Sequence, residues 1–243
     1  TGELPALDRG AFALRITGGE GKLSTLPDPD AASSRERHEL DVTLAPGGEL
    51  RFSGRIESSG VGAPSWRRRY HAEATQRERV ASDLAGLFGP VELSPGARGL
   101  RLSDLDAIEK PVVLDIGGAA TAAQESGGWS IPAGSSHDLV RRYASRPERS
   151  QALLVGPPRV YEELLTVRRP PGTVVSSSPR STKLSTPFGE FELAVSEEGS
   201  VTKISTRLVL RVSRIAAGDY PAWRAFCQAV DAAAGARLLV TKS

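Results

Sequence analysis

The chain has 243 residues, 39% of them hydrophobic, and a formal net charge of +2. This is enough material for one large domain or two small ones, while the near-balanced charge excludes the one-sided basic field of a protein that grips phosphates. A single cysteine excludes an internal disulfide framework, and the scattered histidines His38, His71 and His137 disfavour a zinc site. We therefore expect no cofactor, no metal and no nucleic-acid partner.

No apolar run approaches the roughly 20 residues that cross a bilayer, so we expect no membrane span. The chain begins at Thr1 and contains no methionine. We interpret it as a processed or excised piece of a longer protein.

Residues 38–57, HELDVTLAPGGELRFSGRIE, predict a β-hairpin. Apolar residues alternate with polar ones on both sides of a Pro-Gly-Gly turn, which is typical of antiparallel strands with one wet face. The residues predicted to share the buried face are Leu40, Val42 and Leu44 on the first strand, and Leu50, Phe52 and Gly54 on the second.

Residues 63–88 predict one long amphipathic helix that ends near Gly89 and Pro90. Its apolar residues fall three, four or seven apart and so form one stripe: Trp66, Tyr70, Ala74, Ala81, Leu84 and Phe88. The arginines of WRRRYHAEATQRER lie on the other face. This arrangement favours a solvated helix with a buried side over a surface that stacks bases.

Between residues 93 and 156 the pattern weakens to short strands separated by glycine, proline and serine. VVLDIGGAA, residues 112–120, looks like a strand entering a phosphate loop, but it lacks the spacing G-x-G-x-x-G, so Gly117 and Gly118 predict a turn. GSSHD, residues 134–138, sets Ser, His and Asp side by side. Catalytic triads draw these groups from separated elements, so we interpret GSSHD as a turn or a helix N-cap.

Two more strand regions follow. VYEELLTVRRPPGTVV, residues 160–175, predicts a strand closed by Pro170, Pro171 and Gly172. Residues 188–215 predict a hairpin that turns at Glu198 and Gly199. The inward residues predicted for its returning strand are Thr202, Ile204, Thr206, Leu208, Leu210 and Val212.

The last helix is predicted over about residues 219–235, with Asp219 as N-cap, Pro221 in the first turn and Gly235 as the stop. Its apolar stripe is Trp223, Phe226 or Cys227, Val230 and Ala234. The elements together predict a mainly β (α+β) fold, a two-sheet antiparallel β-sandwich with one long amphipathic helix (about 63–88) and a C-terminal helix (about 219–235).

Cys227 is the only cysteine of the chain. A thiol nucleophile needs a pKa lowered by a helix N-terminus, a histidine or a positive pocket, whereas Cys227 lies about two turns inside its helix and no histidine follows it. Free cysteine commonly packs as a small hydrophobe. We therefore predict that Cys227 is a core residue.

The order of these motifs resembles the C-terminal portion of large bacterial envelope proteins, in which a transglutaminase-like, papain-type core sits between β-sandwich domains of unknown function. The resemblance runs from LDRGAFALRI through the first hairpin and the helix to YEELLTVRRPPGTVV. Its most specific part is the ending, with a P-x-G turn, a T-P-F-G-x-F-E-L hairpin and the D-Y-P-A-W-R-x-F helix.

The resemblance implies that the family's catalytic Cys, His and Asp belong to the core that precedes this segment, so we assign no catalytic residue here. It implies a non-catalytic accessory or binding module in the periplasm or cell envelope, with the upstream core as partner and a protein or glycan as ligand. We expect residues 1–24 to connect to that core and residues 25–243 to form the sandwich, as one domain or as two halves meeting near residue 110.

Two alternatives remain open at this point. In the first alternative, the chain is a stand-alone carbohydrate- or protein-binding sandwich that uses Trp129 or Trp66 as a stacking platform for its ligand. In the second alternative, the chain is a small hydrolase that uses Ser135, Ser136 or Cys227 with His137 or His71.

Overall fold

The computed structural model describes residues 12–26 and 30–243 of the chain. The N-terminal part of the predicted connecting segment lies outside these residues. The strands are β1 Phe12–Thr17, β2 Glu20–Thr25, β3 Arg35–Leu44, β4 Glu49–Ser58, β5 Val91–Leu93, β6 Leu100–Leu102, β7 Val112–Thr121, β8 Ala123–Glu125, β9 Gly128–Pro132, β10 Leu153–Leu154, β11 Arg159–Arg168, β12 Thr173–Ser177, β13 Thr182–Thr186, β14 Gly189–Glu198, β15 Val201–Leu210, β16 Arg214–Ile215 and β17 Arg237–Lys242. The helices are α1 Ala63–Tyr70, α2 Glu73–Phe88, α3 Leu139–Tyr143 and α4 Tyr220–Ala234.

Most strands belong to one large sheet in the order β13-β14-β15-β11-β3-β4-β7-β5, with β6 also paired to β7. A four-stranded sheet, β12-β17-β9-β8, packs against part of it, and β1–β2 and β10–β16 form small sheets of their own. The mainly β, sandwich-like fold with a C-terminal helix is confirmed. The division of the chain into domains stays a prediction.

One pair in the large sheet differs from the antiparallel expectation, because β3 and β11 run parallel. The hairpin partner β4 occupies one edge of β3, which leaves the other edge for a strand that arrives much later in the sequence. A parallel pair needs a long crossover, and residues 45–158, which include β4, provide it. The pair places two sequence-distant strands side by side at the centre of the sheet.

The large sheet buries one face and exposes the other, as the alternation predicted. The inner face is apolar along β3, β4, β7, β11, β14 and β15, whereas the outer face carries ion pairs such as Arg168 with Asp41 and Arg207 with Glu162. The predicted turn of the last hairpin moves by one residue to Gly199 and Ser200. Val212 lies beyond β15 and is only half-buried.

Two separate hydrophobic cores pack on the inner face. The first lies between β3, β4 and β7, the helices α1 and α2, and the four-stranded sheet, and it includes a stacked pair, Phe52 and Phe88, with ring centroids 5.1 Å apart. The second lies under α4, against β14 and β15, with the fully buried Trp223 at its centre. Each fully buried large apolar side chain stabilises the fold by about 1.5–3 kcal/mol.

The single helix predicted over residues 63–88 is wrong, because the structure contains two helices there. α1 ends at Tyr70, Ala72 is extended (φ −79°, ψ 102°), and α2 begins at Glu73. The Tyr70 carbonyl, left without a partner inside α1, accepts a hydrogen bond from Gln76 Nε2 at 2.8 Å. A side chain of the second helix thus replaces a backbone bond of a continuous helix.

The break also shifts the apolar stripe. Ala74, predicted to be inward, is exposed, and the buried residues of α2 are Val80, Leu84, Leu87 and Phe88. A helix that restarts after an extended residue has a new phase, so spacing counted across the break no longer identifies one face.

The turn predicted at Gly117 and Gly118 is also wrong, because both glycines lie inside the ten-residue strand β7. A Cβ on Gly117 would lie 2.5 Å from the Arg98 carbonyl oxygen, and one on Gly118 would lie 2.4 Å from the Glu92 carbonyl oxygen. The glycines therefore permit a close backbone approach beside the strand rather than a chain reversal.

The C-terminal helix is confirmed as α4, and the predicted stripe of Trp223, Phe226, Cys227, Val230 and Ala234 is buried. Asp219 stands at the N-cap position but its side chain makes no capping hydrogen bond. Within residues 12–26 and 30–243, no helix has the length and apolar character required to cross a membrane.

Candidate functional site

Polar side chains interrupt the inner face of the large sheet at the boundary between its two cores. Glu36 and His38 on β3 are in phase with the buried Leu40, and Tyr161 and Glu163 on β11 lie directly opposite them. Directly opposite residues of paired strands share a face. The parallel β3–β11 pair therefore creates a polar region on the otherwise apolar inner face of the sheet.

These side chains line a cavity of about 120 Å³ that we call the seam pocket. One water molecule needs about 10–15 Å³ by this measure, so the cavity admits a group of several non-hydrogen atoms. The residues that line it are Glu36, His38, Ser135, Ser136, His137, Leu139, Arg142, Arg159, Tyr161, Glu162, Glu163 and Thr206.

The segment before α3 forms one wall of the seam pocket and binds the buried carboxylate of Glu163. Ser135 donates twice to that carboxylate, from its backbone N–H to Oε2 at 2.6 Å and from Oγ to Oε1 at 3.2 Å. Gly134 allows this approach, since a Cβ there would lie 2.9 Å from Glu163 Oε2. Glu163 is only 8% exposed, and the two bonds offset the cost of burying its oxygens.

His38 connects Ser135 to a second carboxylate. Its Nδ1 lies 3.4 Å from Ser135 Oγ, and its Nε2 lies 3.1 Å from Glu36 Oε1. The hydrolase alternative paired the serines with His137 or His71, whereas the structure places Ser135 beside a histidine 97 residues earlier in the chain. The order serine, histidine, carboxylate is the arrangement of a catalytic triad, although the serine–histidine distance is long.

The protonation of this cluster follows from burial and charge. Burial lowers the pKa of His38, but the hydrogen bond to Glu36 and the charges of Glu163 and Glu36 outweigh it, so the pKa is raised above its usual 6.5. Burial raises the pKa of Glu163 against the opposing effects of His38 and Ser135. A protonated His38 can donate to both carboxylates but cannot accept a proton from Ser135.

His137 forms the apolar side of the seam pocket. Its ring centroid lies 5.4 Å from that of Tyr161 and 6.4 Å from that of Phe191. Burial lowers the pKa of His137 to about 4, so the ring is neutral at pH 7. In the part of the chain that the structure describes, neither Ser135 nor Ser136 hydrogen-bonds to this ring.

Two arginines, Arg159 and Arg142, also line the seam pocket. The Arg159 guanidinium carbon lies over the rings of Tyr143 and Tyr161, at 5.8 and 5.7 Å from their centroids, and its Nη2 hydrogen-bonds to the Tyr143 hydroxyl. Its buried Nε has no hydrogen-bond partner. Arg142, on α3, is exposed. Neither forms an ion pair with a carboxylate of the described residues.

The GSSHD segment leads into α3 as the N-cap interpretation predicted, but with different chemistry. Asp138 stands at the N-cap with φ 49° and makes no capping hydrogen bond, and Ser136 Oγ donates to its carboxylate at 2.7 Å. The first N–H groups of α3, at Leu139 and Val140, donate instead to Asp231 of α4, at 2.9 and 2.8 Å. α4 therefore fixes the position of the pocket wall.

Cys227 lies in the second core and has no exposed surface. Burial and the nearby Asp231 raise the pKa of its thiol to about 12. At neutral pH the group is a protonated thiol, which is a weak nucleophile.

The other sequence candidates lie away from this cluster. His71 is exposed just after α1, beside a different cleft that Arg77 and Asp104 also line. Trp66 on α1 and Trp129 on β9 are half-buried and pack against the first core. Their role as stacking platforms stays a prediction. No group of three His, Cys, Asp or Glu side chains among the described residues is arranged to hold a metal.

Sequence reasoning missed His38, Glu36, Glu163 and the two arginines. One signal could have pointed to the first three, because in a strand with alternating burial a polar residue in phase with the apolar ones faces the core. Glu36 and His38 precede Leu40 in that phase, and Glu163 precedes Leu165.

The comparison with protein families matches residues 135–240 to a model described as Domain of Unknown Function with solved-structure structure (DUF3858). The matched segment begins at Ser135 and runs through α4 into β17. This supports a domain of unknown function over that segment, and the transglutaminase-like parent stays a prediction.

No curated protein matches the chain. A crystal structure described as "putative protease from Parabacteroides distasonis" matches with 18% sequence identity and a TM-score of 0.36. The match covers 39% of this chain and 19% of that one, so it spans a small part of the other protein's length.

Proposed function

We propose that the chain is a non-catalytic accessory module of a larger transglutaminase-like envelope protein, and that it binds a ligand at the seam pocket. One observation carries the proposal: the pocket contains two arginines without a carboxylate partner among the described residues, while Ser135, which contacts a histidine, is held by Glu163. The resemblance of the motif order supports the larger protein, its catalytic core and the envelope location.

The hydrogen bonds of Ser135 argue against an acyl-transfer role. In a serine hydrolase of the chymotrypsin type, the backbone N–H of the nucleophile helps to bind the oxyanion of the intermediate. Here that N–H donates to Glu163 Oε2 at 2.6 Å. A carboxylate at that position would repel a developing oxyanion.

A serine hydrolase built on Ser135, His38 and Glu36 is the second candidate function. One observation favours it, since the three groups stand in triad order, with Ser135 Oγ 3.4 Å from His38 Nδ1 and Glu36 Oε1 3.1 Å from Nε2. It requires Glu163 to release Ser135 and His38 to be in its neutral form.

A fluorophosphonate, which forms a covalent bond with activated serines, separates the two candidates. We expect no more modification of Ser135 than of the exposed Ser65 when the folded chain is analysed by peptide mass spectrometry. Rapid modification of Ser135, lost in His38→Gln and retained in His71→Gln, would establish the hydrolase and overturn the accessory role.

A further inference from the structure

The acidic and the basic groups of the seam pocket differ in how completely the protein pairs them. The acids have partners within the fold: Glu36 binds His38, Glu163 binds Ser135, and Glu162 lies 3.3 Å from Arg207 and 3.7 Å from Arg35. The positive groups Arg142 and Arg159 have no carboxylate partner among the described residues.

Two further side chains that can donate a hydrogen bond line the same cavity. They are the Tyr161 hydroxyl and the neutral ring of His137, which can present one N–H. Arg159 adds a buried Nε that hydrogen-bonds to nothing in the protein. A buried donor without an acceptor costs free energy, so the Arg159 guanidinium is not fully satisfied by the described residues.

The cavity size and the surrounding charge restrict which acceptor fits. At about 120 Å³ the pocket admits a small terminal group rather than a chain segment. Glu36 and Glu163 nearby disfavour a doubly charged phosphate, whereas a guanidinium binds a planar, singly charged carboxylate through two parallel hydrogen bonds.

We propose that the seam pocket binds the carboxylate of an amino-acid-sized group, such as a free amino acid or the end of a peptide, between Arg142 and Arg159. Resting on the proposed function, this names the ligand class of that pocket. The stacking of Arg159 on two tyrosines fixes its position before the ligand arrives, while Arg142 comes from α3.

Glu36 offers a second point of recognition. Its Oε1 accepts from His38, and the side chain lines the pocket and is 28% exposed, so its other oxygen, Oε2, is the one assigned to the ligand. An N–H next to the ligand's carboxylate can donate to that oxygen. The proposal therefore ranks N-acetylalanine, which carries this N–H, above propionate, which carries only the carboxylate.

Isothermal titration calorimetry of the folded chain tests the proposal with three probes. N-acetylalanine should bind in the millimolar range, propionate more weakly, and N-acetylalanine amide, which lacks the negative charge, should show no binding. Equal heats for the acid and the amide, or no binding of the acid, would overturn the proposed ligand class.

Two neighbouring arginines provide matched variants. Arg142→Gln should weaken N-acetylalanine binding at least about tenfold, because a charge-assisted hydrogen bond is lost. Arg141→Gln, at an adjacent exposed residue that pairs with Asp138, should change it less than about twofold. Equal effects would show non-specific charge attraction and refute the site.

The tests of ligand class and of accessory role fail in different ways. A chain that binds no carboxylate but also fails to react with fluorophosphonate loses only the ligand class. A chain whose Ser135 reacts loses the non-catalytic role itself, whatever it binds. Circular dichroism melting of Arg142→Gln and Arg141→Gln confirms that both variants remain folded.

Discussion

The second core around Cys227 and the seam pocket around Ser135 each contain a side chain of the type that enzymes use as nucleophiles, in opposite surroundings. Cys227 is enclosed by apolar side chains, and burial raises the pKa of its thiol to about 12. Ser135 reaches a cavity and touches a histidine, but it donates to Glu163. The residue type alone therefore does not show whether either side chain can act as a nucleophile. The groups that surround each side chain decide this.

The largest expected effect on the free energy of unfolding comes from a substitution in the second core. Trp223 is fully buried, and its ring contacts Tyr143, Phe188 and Phe226. Trp223→Ala should lower the free energy of unfolding by about 3–5 kcal/mol because it leaves a large cavity. The control Gln228→Ala, on the exposed side of α4, should stay within about 0.5 kcal/mol in urea unfolding. Similar losses for both variants would contradict the described core.

The dependence of the free energy of unfolding on pH tests the burial of His137 in the seam pocket. The folded-state pKa of His137 is about 4 and its unfolded value is about 6.5, so the folded chain binds fewer protons between these values. The contribution of His137 to the free energy of unfolding should therefore fall as the pH drops from about 6.5 to about 4, by up to about 3 kcal/mol.

His137→Phe keeps an aromatic ring beside Tyr161 and removes the titration. The difference in stability between this variant and the parent chain should grow on acidification in favour of the variant. Glu163 and His38, whose pKa values are raised, change the parent and the variant alike. A constant difference between pH 7 and pH 4 would contradict the burial of His137.

The Glu163 carboxylate allows a comparison of charge with hydrogen bonding. Glu163→Leu leaves the Ser135 N–H without its acceptor and should cost about 1–3 kcal/mol of unfolding free energy. Glu163→Gln keeps an acceptor and should cost less, while the pKa of His38, followed by NMR, should fall because a nearby negative charge is lost. An unchanged pKa of His38 would show that the Glu163 carboxylate does not lie beside the His38 ring.

The last substitution, with an expected effect equal in size to that of Glu163→Leu, is at Cys227. Cys227→Ser places a hydroxyl in an apolar site and should destabilise the fold by about 1–3 kcal/mol. The parent thiol should react with a thiol reagent at a rate that rises with urea concentration, because only opened molecules expose it. Immediate reaction of the folded chain would disprove the burial.

The sequence predicts the elements whose pattern is local. The hairpin of residues 38–57 and the stripe of α4 follow from alternation and helical spacing, and both are confirmed. The break at Ala72 was not predictable in this way, since no glycine or proline marks it. A side chain of α2, Gln76, satisfies the freed carbonyl of Tyr70, and such a contact has no period in the sequence.

The seam pocket was also less predictable, because it depends on contacts between elements that are distant in the sequence. Ser135 and Ser136 were candidates, yet the histidine beside Ser135 is His38, which the parallel pairing of β3 with β11 brings to the centre of the sheet. Alternation alone does not reveal which strands pair. Glu36 and His38 interrupt the inward phase of their strand, however, and polar residues in that phase are the signal to search for.

The most direct measurement is a ¹H–¹⁵N NMR titration of the chain with N-acetylalanine. The amide signals of Ser135, His137 and Arg142 should shift together and saturate, while those of Cys227 and Val230 in the second core should stay in place. Shifts centred on Trp66 or Trp129, or none at Ser135 at saturating ligand, would contradict the seam pocket as the binding site.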